Sequence, residues 1–173
     1  MADRIAAASD CNRCAALCCI AYPSEDMPGF AASKDAGEPC PKLDACGMCT
    51  IYADRERMGF GGCIAFECFG AGQFVTQHVF NGQDWRGEPS VRQAMVDSFL
   101  RFRPAFDLLY LARRFEALDT GPGDAHSAAG IIQMLEKALL SADPAQAENV
   151  LPRARAELRE LYAARRTGVE GKI

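Results

Sequence analysis

Two kinds of hydrophobic pattern divide the chain near Pro89. From Ser90 onward, apolar residues recur at intervals of three and four, which is the period of an amphipathic α-helix. The clearest of these series comprises Ile131, Ile132, Leu135 and Leu139. Pro104 predicts a kink or a restart in the first helix, and Asp143-Pro144 predicts the start of the last one. The pattern therefore predicts three or four helices over residues 90–173.

Residues 1–89 follow no comparable period. They hold ten of the fifteen glycines, and their apolar positions are separated by turn-forming residues. Such a composition predicts turns and short helices with very little strand. We expect two domains, an irregular lobe over residues 1–89 and a helical segment over residues 90–173 that packs on the lobe or on a partner.

Composition and charge argue against several classes of protein. The chain is 49% hydrophobic and 24% charged, which is typical of a globular protein. No apolar run approaches the roughly 18–20 residues of a membrane-spanning helix, and the first nine residues contain no legible secretory signal. The net charge is −4, without a cluster of Lys and Arg. We therefore expect a cytoplasmic protein that binds no nucleic acid.

The cysteines are the strongest chemical signal. All nine lie between Cys11 and Cys68, and the first 89 residues carry 7 basic and 12 acidic side chains. In a reducing cytoplasm, thiols at this density are more often metal ligands than disulfides. A secreted disulfide scaffold is the main rival, and the odd count of cysteines and the missing signal argue against it.

The spacing of the cysteines also predicts metal binding. Cys11 and Cys14 form a C-x2-C step, which lets two thiolates on one turn converge on an ion, and Cys46 and Cys49 repeat it. Adjacent side chains point in different directions, so we expect the neighbouring pair Cys18-Cys19 to serve different centres or layers. The thiolates could form one metal centre or two.

Four weaker features have a functional and a structural interpretation. The run Gly70-Ala71-Gly72 could cradle an anion, but a tight turn after Cys68 is the simpler interpretation. His78 and His126 could ligate a metal, but each fits a packing or surface role better. Trp85 could line a pocket, although packing is again the simpler role.

The order of the cysteines resembles the YkgJ-type cysteine-cluster family, which is described as a putative zinc- or iron-chelating domain. The resemblance covers residues 11–69 and includes Cys49-Thr-Ile-Tyr52 with Arg55 and Arg57 following it. The later segments 69–73 and 81–85 are similar to a subgroup that precedes pentapeptide repeats. The ligands that this resemblance implies are Cys11, Cys14, Cys18, Cys19, Cys40, Cys49, Cys63 and Cys68. Cys46 does not carry over, and its spacing to Cys49 leaves it an extra ligand or a free thiol.

The resemblance also guides the choice of metal and function. Zinc and iron–sulfur clusters both take four thiolates, and the resemblance, which extends to flagellin lysine methylases, slightly favours iron–sulfur. We expect a mainly α protein in which an irregular, cysteine-rich, metal-nucleated lobe packs on a small helical bundle. The expected function is that of an accessory protein with a structural or redox centre, docked to a protein partner or to a second copy. A cluster-dependent modification enzyme and a metal sensor or carrier are the alternatives, although no catalytic motif is legible.

Overall fold

The computed structural model describes residues 5–24, 28–118 and 122–170. Within these ranges the chain forms six α-helices: α1 (Leu17–Ala21), α2 (Gly61–Ala65), α3 (Ala71–Phe74), α4 (Arg92–Glu116), α5 (Pro122–Leu140) and α6 (Pro144–Glu170). A π-helical turn, Val75–Val79, follows α3, and 3-10 turns lie at Cys11–Arg13, Tyr52–Asp54 and Pro89–Val91. Extended backbone pairs in these ranges only at one isolated bridge, between Leu43 and Cys49. The predicted mainly α fold is confirmed.

The chain divides into two compact units. Residues 8–103 form one of them, called here the cysteine unit, and residues from 104 onward, with those before residue 8, form the other, called the helical unit. The division falls inside α4, whereas the composition of the sequence changes at residue 89. The start of α4 belongs to the cysteine unit because side chains such as Phe99 pack there, its ring meeting Tyr22 edge-on at 6.0 Å between centroids.

Apolar side chains between α5 and α6 form a large part of the helical unit's core. The stripe predicted from the sequence is buried, namely Ile131, Ile132, Leu135 and Leu139. Asp143 caps α6 by accepting a 2.9 Å hydrogen bond from the Ala145 amide, as its position before Pro144 predicts. No helix in the described part of the chain combines the length and the hydrophobicity that crossing a bilayer requires.

Helix α4 runs without a break through Pro104, so the helix does not restart there. A proline inside a helix removes one backbone hydrogen bond and costs about 3 kcal/mol. Fully buried side chains precede and follow the proline, namely Phe99, Phe102, Ala105 and Phe106. Their burial offsets that cost, because each large side chain contributes about 1.5–3 kcal/mol when it leaves water.

The apolar core of the cysteine unit is formed by residues from the beginning and the end of its sequence. The residues between them contribute almost nothing to that core. Helix α1, α3 with its π-helical turn, and the start of α4 provide the core, with Leu17, Ile20, Phe74, Val75, Met95, Phe99 and Phe102 buried. Residues 28–69, in contrast, bury only Gly47 and Phe60. Five of the nine cysteines lie in that sparsely packed segment.

Candidate metal centre

The first cysteines lie on a short turn that leads into α1. Asp10 caps this 3-10 turn by accepting a 3.1 Å hydrogen bond from the Asn12 amide. The amide of Cys14 donates to the carbonyl of Cys11 at 3.3 Å, so both thiols of the C-x2-C step belong to one tight turn. Ala16 then adopts a left-handed conformation with φ 54°, which turns the chain into the helix that carries Cys18 and Cys19.

Side chains from the π-helical turn hold this segment in place. The Thr76 hydroxyl accepts a 3.0 Å hydrogen bond from the Ala15 amide, and the Gln77 amide group donates to the Arg13 carbonyl at 2.9 Å. The Trp85 indole N–H donates to the Ala15 carbonyl at 2.7 Å. The lone tryptophan therefore has a packing role, and residues 13–15 are anchored on residues that follow Cys68.

Cys68 and Gly72 bring the far end of the cysteine-rich sequence to the first turn. The Ser9 hydroxyl lies 2.9 Å from the Cys68 sulfur and also hydrogen bonds to the Glu67 carboxylate. A Cβ atom on Gly72 would lie 2.6 Å from the Cys14 sulfur, closer than packed atoms approach each other. Gly72 is buried. A residue without a side chain fits at this position because the backbone approaches Cys14 closely.

Backbone hydrogen bonds link Cys19, Cys40 and Cys49. The Cys40 amide donates to the Cys19 carbonyl at 3.0 Å, and the Leu43 amide donates to the Cys40 carbonyl at 3.0 Å. Leu43 in turn forms the antiparallel bridge with Cys49. The segment between the two prolines that flank Cys40 is thereby tied to α1 on one side and to Cys49 on the other.

Arg55 connects the turn after Cys49 to Cys63. Its Nε donates to the Tyr52 carbonyl at 2.8 Å, and its Nη1 donates to the Cys63 carbonyl at 3.2 Å. The guanidinium also lies 3.8 Å from the centre of the Tyr52 ring, which is cation–π distance. Arg55 therefore fixes the position of Cys63 relative to the turn that begins at Cys49.

These connections, together with the charge interactions of Cys18 with Cys14 and Cys68, divide eight cysteines into two groups. The N-terminal cysteine set comprises Cys11, Cys14, Cys18 and Cys68. The loop cysteine set comprises Cys19, Cys40, Cys49 and Cys63. The sulfurs of Cys18 and Cys19 are 3.9 Å apart, so the two sets meet there. Cys46 lies outside both sets, because it is exposed and its amide is held by the Asp44 carboxylate at 2.9 Å.

Burial and neighbouring thiolates raise the pKa of the thiols in the N-terminal cysteine set. Burial raises the pKa of Cys14 to about 11, and the charges of Cys68 and Cys11 add to the effect. Burial also raises the pKa of Cys11, followed by the charges of Cys68 and Cys19. The hydrogen bond to Cys19, then burial, raises the pKa of Cys18, and the charges of Cys14 and Cys68 contribute to the shift.

The loop cysteine set shows the same effect with one exception. Burial raises the pKa of Cys40 and of Cys63, and the charges of Cys19 and Cys49 raise both further. The hydrogen bond from Cys18 instead lowers the pKa of Cys19 to about 7, with help from the charges of Lys34 and Arg55. Cys19 thus has the most acidic of the shifted thiols.

The ammonium group of Lys34 caps α1, and this position places its charge beside the loop cysteine set. Its ammonium group donates to the Ile20 carbonyl at 3.4 Å and to the Tyr22 carbonyl. A lysine at the end of a helix satisfies carbonyls that the helix leaves unpaired. Burial lowers the Lys34 pKa, and the interactions with Cys40 and Cys19 oppose part of that shift.

None of the nine cysteines forms a disulfide in this structure. Across residues 5–24, 28–118 and 122–170, however, no three Cys, His, Asp or Glu side chains lie close enough together to hold one ion. The thiols are near enough for their charges to interact, but they are not arranged around a single point.

The two histidines have local packing roles. The His78 ring stacks on Phe74 with 5.3 Å between centroids, which explains His78 as a packing residue. His126 lines a groove between α5 and α6 together with Met134 and Leu161.

Comparisons with known proteins show a relative in Bacillus subtilis. The uncharacterised protein YybG of Bacillus subtilis (strain 168) is 39% identical over 111 residues, a match that covers 64% of this chain and 40% of YybG. The chain therefore spans less than half the length of that relative. No protein-family model matches the chain, and no solved structure matches it.

Proposed function

We propose that this chain is a metal-binding accessory protein of the cytoplasm, whose eight grouped cysteines bind iron–sulfur, or zinc, in a structural or redox role. The observation that carries the proposal is the contrast between the sparse burial of residues 28–69 and the grouping of their cysteines. The segment buries only Gly47 and Phe60, and yet its thiols lie in two groups with cysteines from other parts of the chain.

A bound metal would supply the free energy that this segment does not obtain from apolar burial. Ordering a residue costs about 1–2 kcal/mol of backbone entropy, and a segment in which Phe60 has the only buried side chain offsets little of that. Binding to thiolates from remote parts of a sequence contributes directly to folding, on the order of 10 kcal/mol for a structural zinc site. Thiolates also bind zinc and iron–sulfur clusters better than they bind hard cations such as magnesium or calcium.

An iron–sulfur cluster and a single zinc ion require different spacings of the thiolates. Four sulfurs around one zinc each lie about 2.3 Å from the metal, so they crowd together. The four thiolates of a [4Fe–4S] cluster each bind a different iron, so they stand farther apart. In the described part of the chain no three ligand side chains share one ion-sized space. The resemblance to the YkgJ-type family is what favours iron–sulfur.

The charges around the loop cysteine set also suit a thiolate-bound centre. Four thiolates carry a large negative charge, and the positive side chains of Lys34 and Arg55 act on Cys19. Binding would require the thiols whose pKa is raised to lose their protons. Metal binding would therefore release protons and would strengthen as the pH rises.

Docking to another protein, or to a second copy of this chain, is part of the proposal. Four large apolar side chains are exposed near the loop cysteine set, Tyr52 at 59%, Ile64 at 51%, Met48 at 38% and Met58 at 37%. Exposed apolar side chains concentrated in one segment are typical of an interaction site. If a second copy docks here, light scattering should give a dimer for the wild type and a monomer for Ile64→Ser. A wild-type monomer would argue for a different protein as the partner.

Anaerobic purification followed by absorbance spectroscopy and analysis of iron, sulfide and zinc tests the proposal. We expect a brown protein with visible absorption and iron and sulfide in equal amounts. A colourless protein with stoichiometric zinc would support the structural zinc alternative, and variable occupancy would favour a carrier. A folded protein without metal, with all its thiols free to react, would overturn the proposal.

A further inference from the structure

We propose that the chain holds two separate four-cysteine centres, one in the N-terminal cysteine set and one in the loop cysteine set, with the Cys18-Cys19 peptide between them. This inference rests on the proposed metal binding, and it assigns each cysteine to a centre. A zinc ion and a [4Fe–4S] cluster each take four cysteine ligands, so eight grouped thiols are enough for two centres and too many for one.

The N-terminal cysteine set is held together by contacts that do not involve the loop. Cys11 and Cys14 share one hydrogen-bonded turn, and the Cys14 sulfur lies against Gly72. Cys68 lies beside Ser9, just before that turn, and its carbonyl accepts a 3.0 Å hydrogen bond from Ala71. The N-terminal turn and the start of α3 therefore bring three of the four cysteines into the same part of the cysteine unit.

The loop cysteine set has its own contacts. The hydrogen bond from Cys40 to Cys19 ties the loop to α1, the Leu43 bridge adds Cys49, and Arg55 adds Cys63 through its carbonyl. All four residues lie between Cys18 and Cys68 in the sequence. The loop cysteine set is thus nested inside the loop that the N-terminal cysteine set closes.

Cys18 and Cys19 mark the division between the centres. Successive residues of a helix leave its axis about 100° apart, and the sulfurs of this adjacent pair are 3.9 Å apart, so two centres that share the dipeptide would be close neighbours. Cys19 is bonded to Cys40 through its backbone, whereas the N-terminal cysteine set is complete without it. The charge interactions follow the same grouping, and those that cross it act through Cys19 on Cys11 and Cys18.

The proposal predicts how metal is lost when single ligands are removed. Native mass spectrometry of anaerobically reconstituted protein should count two centres in the wild type. Cys11→Ser and Cys63→Ser, one from each set, should each retain one centre, or half of the metal. Cys46→Ser is the matched control and should retain both.

A second measurement does not depend on the folding of a variant. If the centres are iron–sulfur clusters, the adjacent ligands Cys18 and Cys19 hold them close together, so reduction of the wild type with dithionite should give the electron paramagnetic resonance spectrum of two coupled clusters. Each folded variant should give the simpler spectrum of one cluster.

The outcomes separate this inference from the proposed function. One centre in the wild type, or loss of all metal from a variant that circular dichroism finds folded, would overturn the two-centre inference and leave metal binding intact. If a variant unfolds, the wild-type count alone decides. Absence of metal from the reconstituted wild type would overturn both.

Discussion

The cysteine unit and the helical unit differ in the interactions that keep the chain ordered. In the helical unit, α5 alone buries six apolar side chains, Ala128, Ile131, Ile132, Leu135, Ala138 and Leu139. In the cysteine unit, residues 28–69 bury one apolar side chain, that of Phe60, and the segment is instead crossed by links between cysteines. The difference teaches that one chain can contain a region ordered by apolar burial and another that depends, in our account, on bound metal.

Loss of a proposed metal ligand should have the largest effect, and only in the cysteine unit. Cys14→Ser removes a thiol that is held against Gly72, and we expect the N-terminal cysteine set to release its metal. Because metal binding contributes on the order of 10 kcal/mol, residues 8–24 and 68–77 should become sensitive to protease. Metal analysis and limited proteolysis measure both effects, with Cys46→Ser as the control. Unchanged metal content and proteolysis in Cys14→Ser would contradict the account.

Creation of a cavity in the helical unit tests the other half of the comparison. Leu135 is completely buried, so Leu135→Ala should lower the free energy of unfolding of the helical unit by about 2–5 kcal/mol. Leu140 lies on the same helix and is 57% exposed, so Leu140→Ala should change it by less than about 0.5 kcal/mol. Denaturant titration followed by circular dichroism measures the difference. Neither variant should lose metal, since no proposed ligand lies in that unit.

Two glycine substitutions should have opposite signs. In Gly72→Ala the added Cβ meets the Cys14 sulfur, and such overpacking costs about 1–3 kcal/mol. Gly130 lies inside α5 with no atom within 4 Å of an added Cβ, so Gly130→Ala should stabilise its helix by about 0.5–1 kcal/mol. Thermal unfolding of the two variants measures both. Destabilisation by Gly130→Ala, or none by Gly72→Ala, would argue against the packing described here.

The last prediction concerns neither stability nor metal content, and it is a difference in thiol reactivity within the cysteine unit. In metal-free protein the pKa of Cys19 is about 7 and that of Cys14 about 11. At pH 7, about half of Cys19 and on the order of one part in ten thousand of Cys14 is the reactive thiolate. Alkylation of Cys19 should level off above pH 8, whereas that of Cys14 should still be rising. Mass spectrometry of iodoacetamide-treated peptides measures the two rates, and equal rates at pH 7 would contradict the assignment.

The helical pattern of the sequence was enough to predict the fold class and much of one core. The stripe of α5 is buried as its periodicity predicts, and the Asp143-Pro144 signal correctly marks the start of α6. In α6, however, Leu158 is buried while Leu151 and Leu161 are half-buried. Periodicity gives the direction of a face, and the depth to which each residue is buried depends on its neighbours in the fold.

Other features could not be predicted because they depend on contacts between remote residues. The unit boundary lies inside α4 since Phe99 packs on Tyr22, and no local signal marks that contact. The sequence suggested an anion cradle or a turn for Gly72, whereas the structure packs it against Cys14. Ser9 and Lys34 lie beside cysteines of the two sets, and neither belongs to a motif. The cysteine pattern predicted the candidate ligands but left the number of centres open.

Hydrogen exchange with and without metal tests the central claim most directly. Backbone amides of residues 28–69 should be protected in the metal-loaded protein and should exchange rapidly after the metal is removed, whereas amides of α5 and α6 should keep their protection in both states. Equal protection of residues 28–69 in the two states would contradict the claim that bound metal, and not apolar burial, orders the cysteine-rich segment.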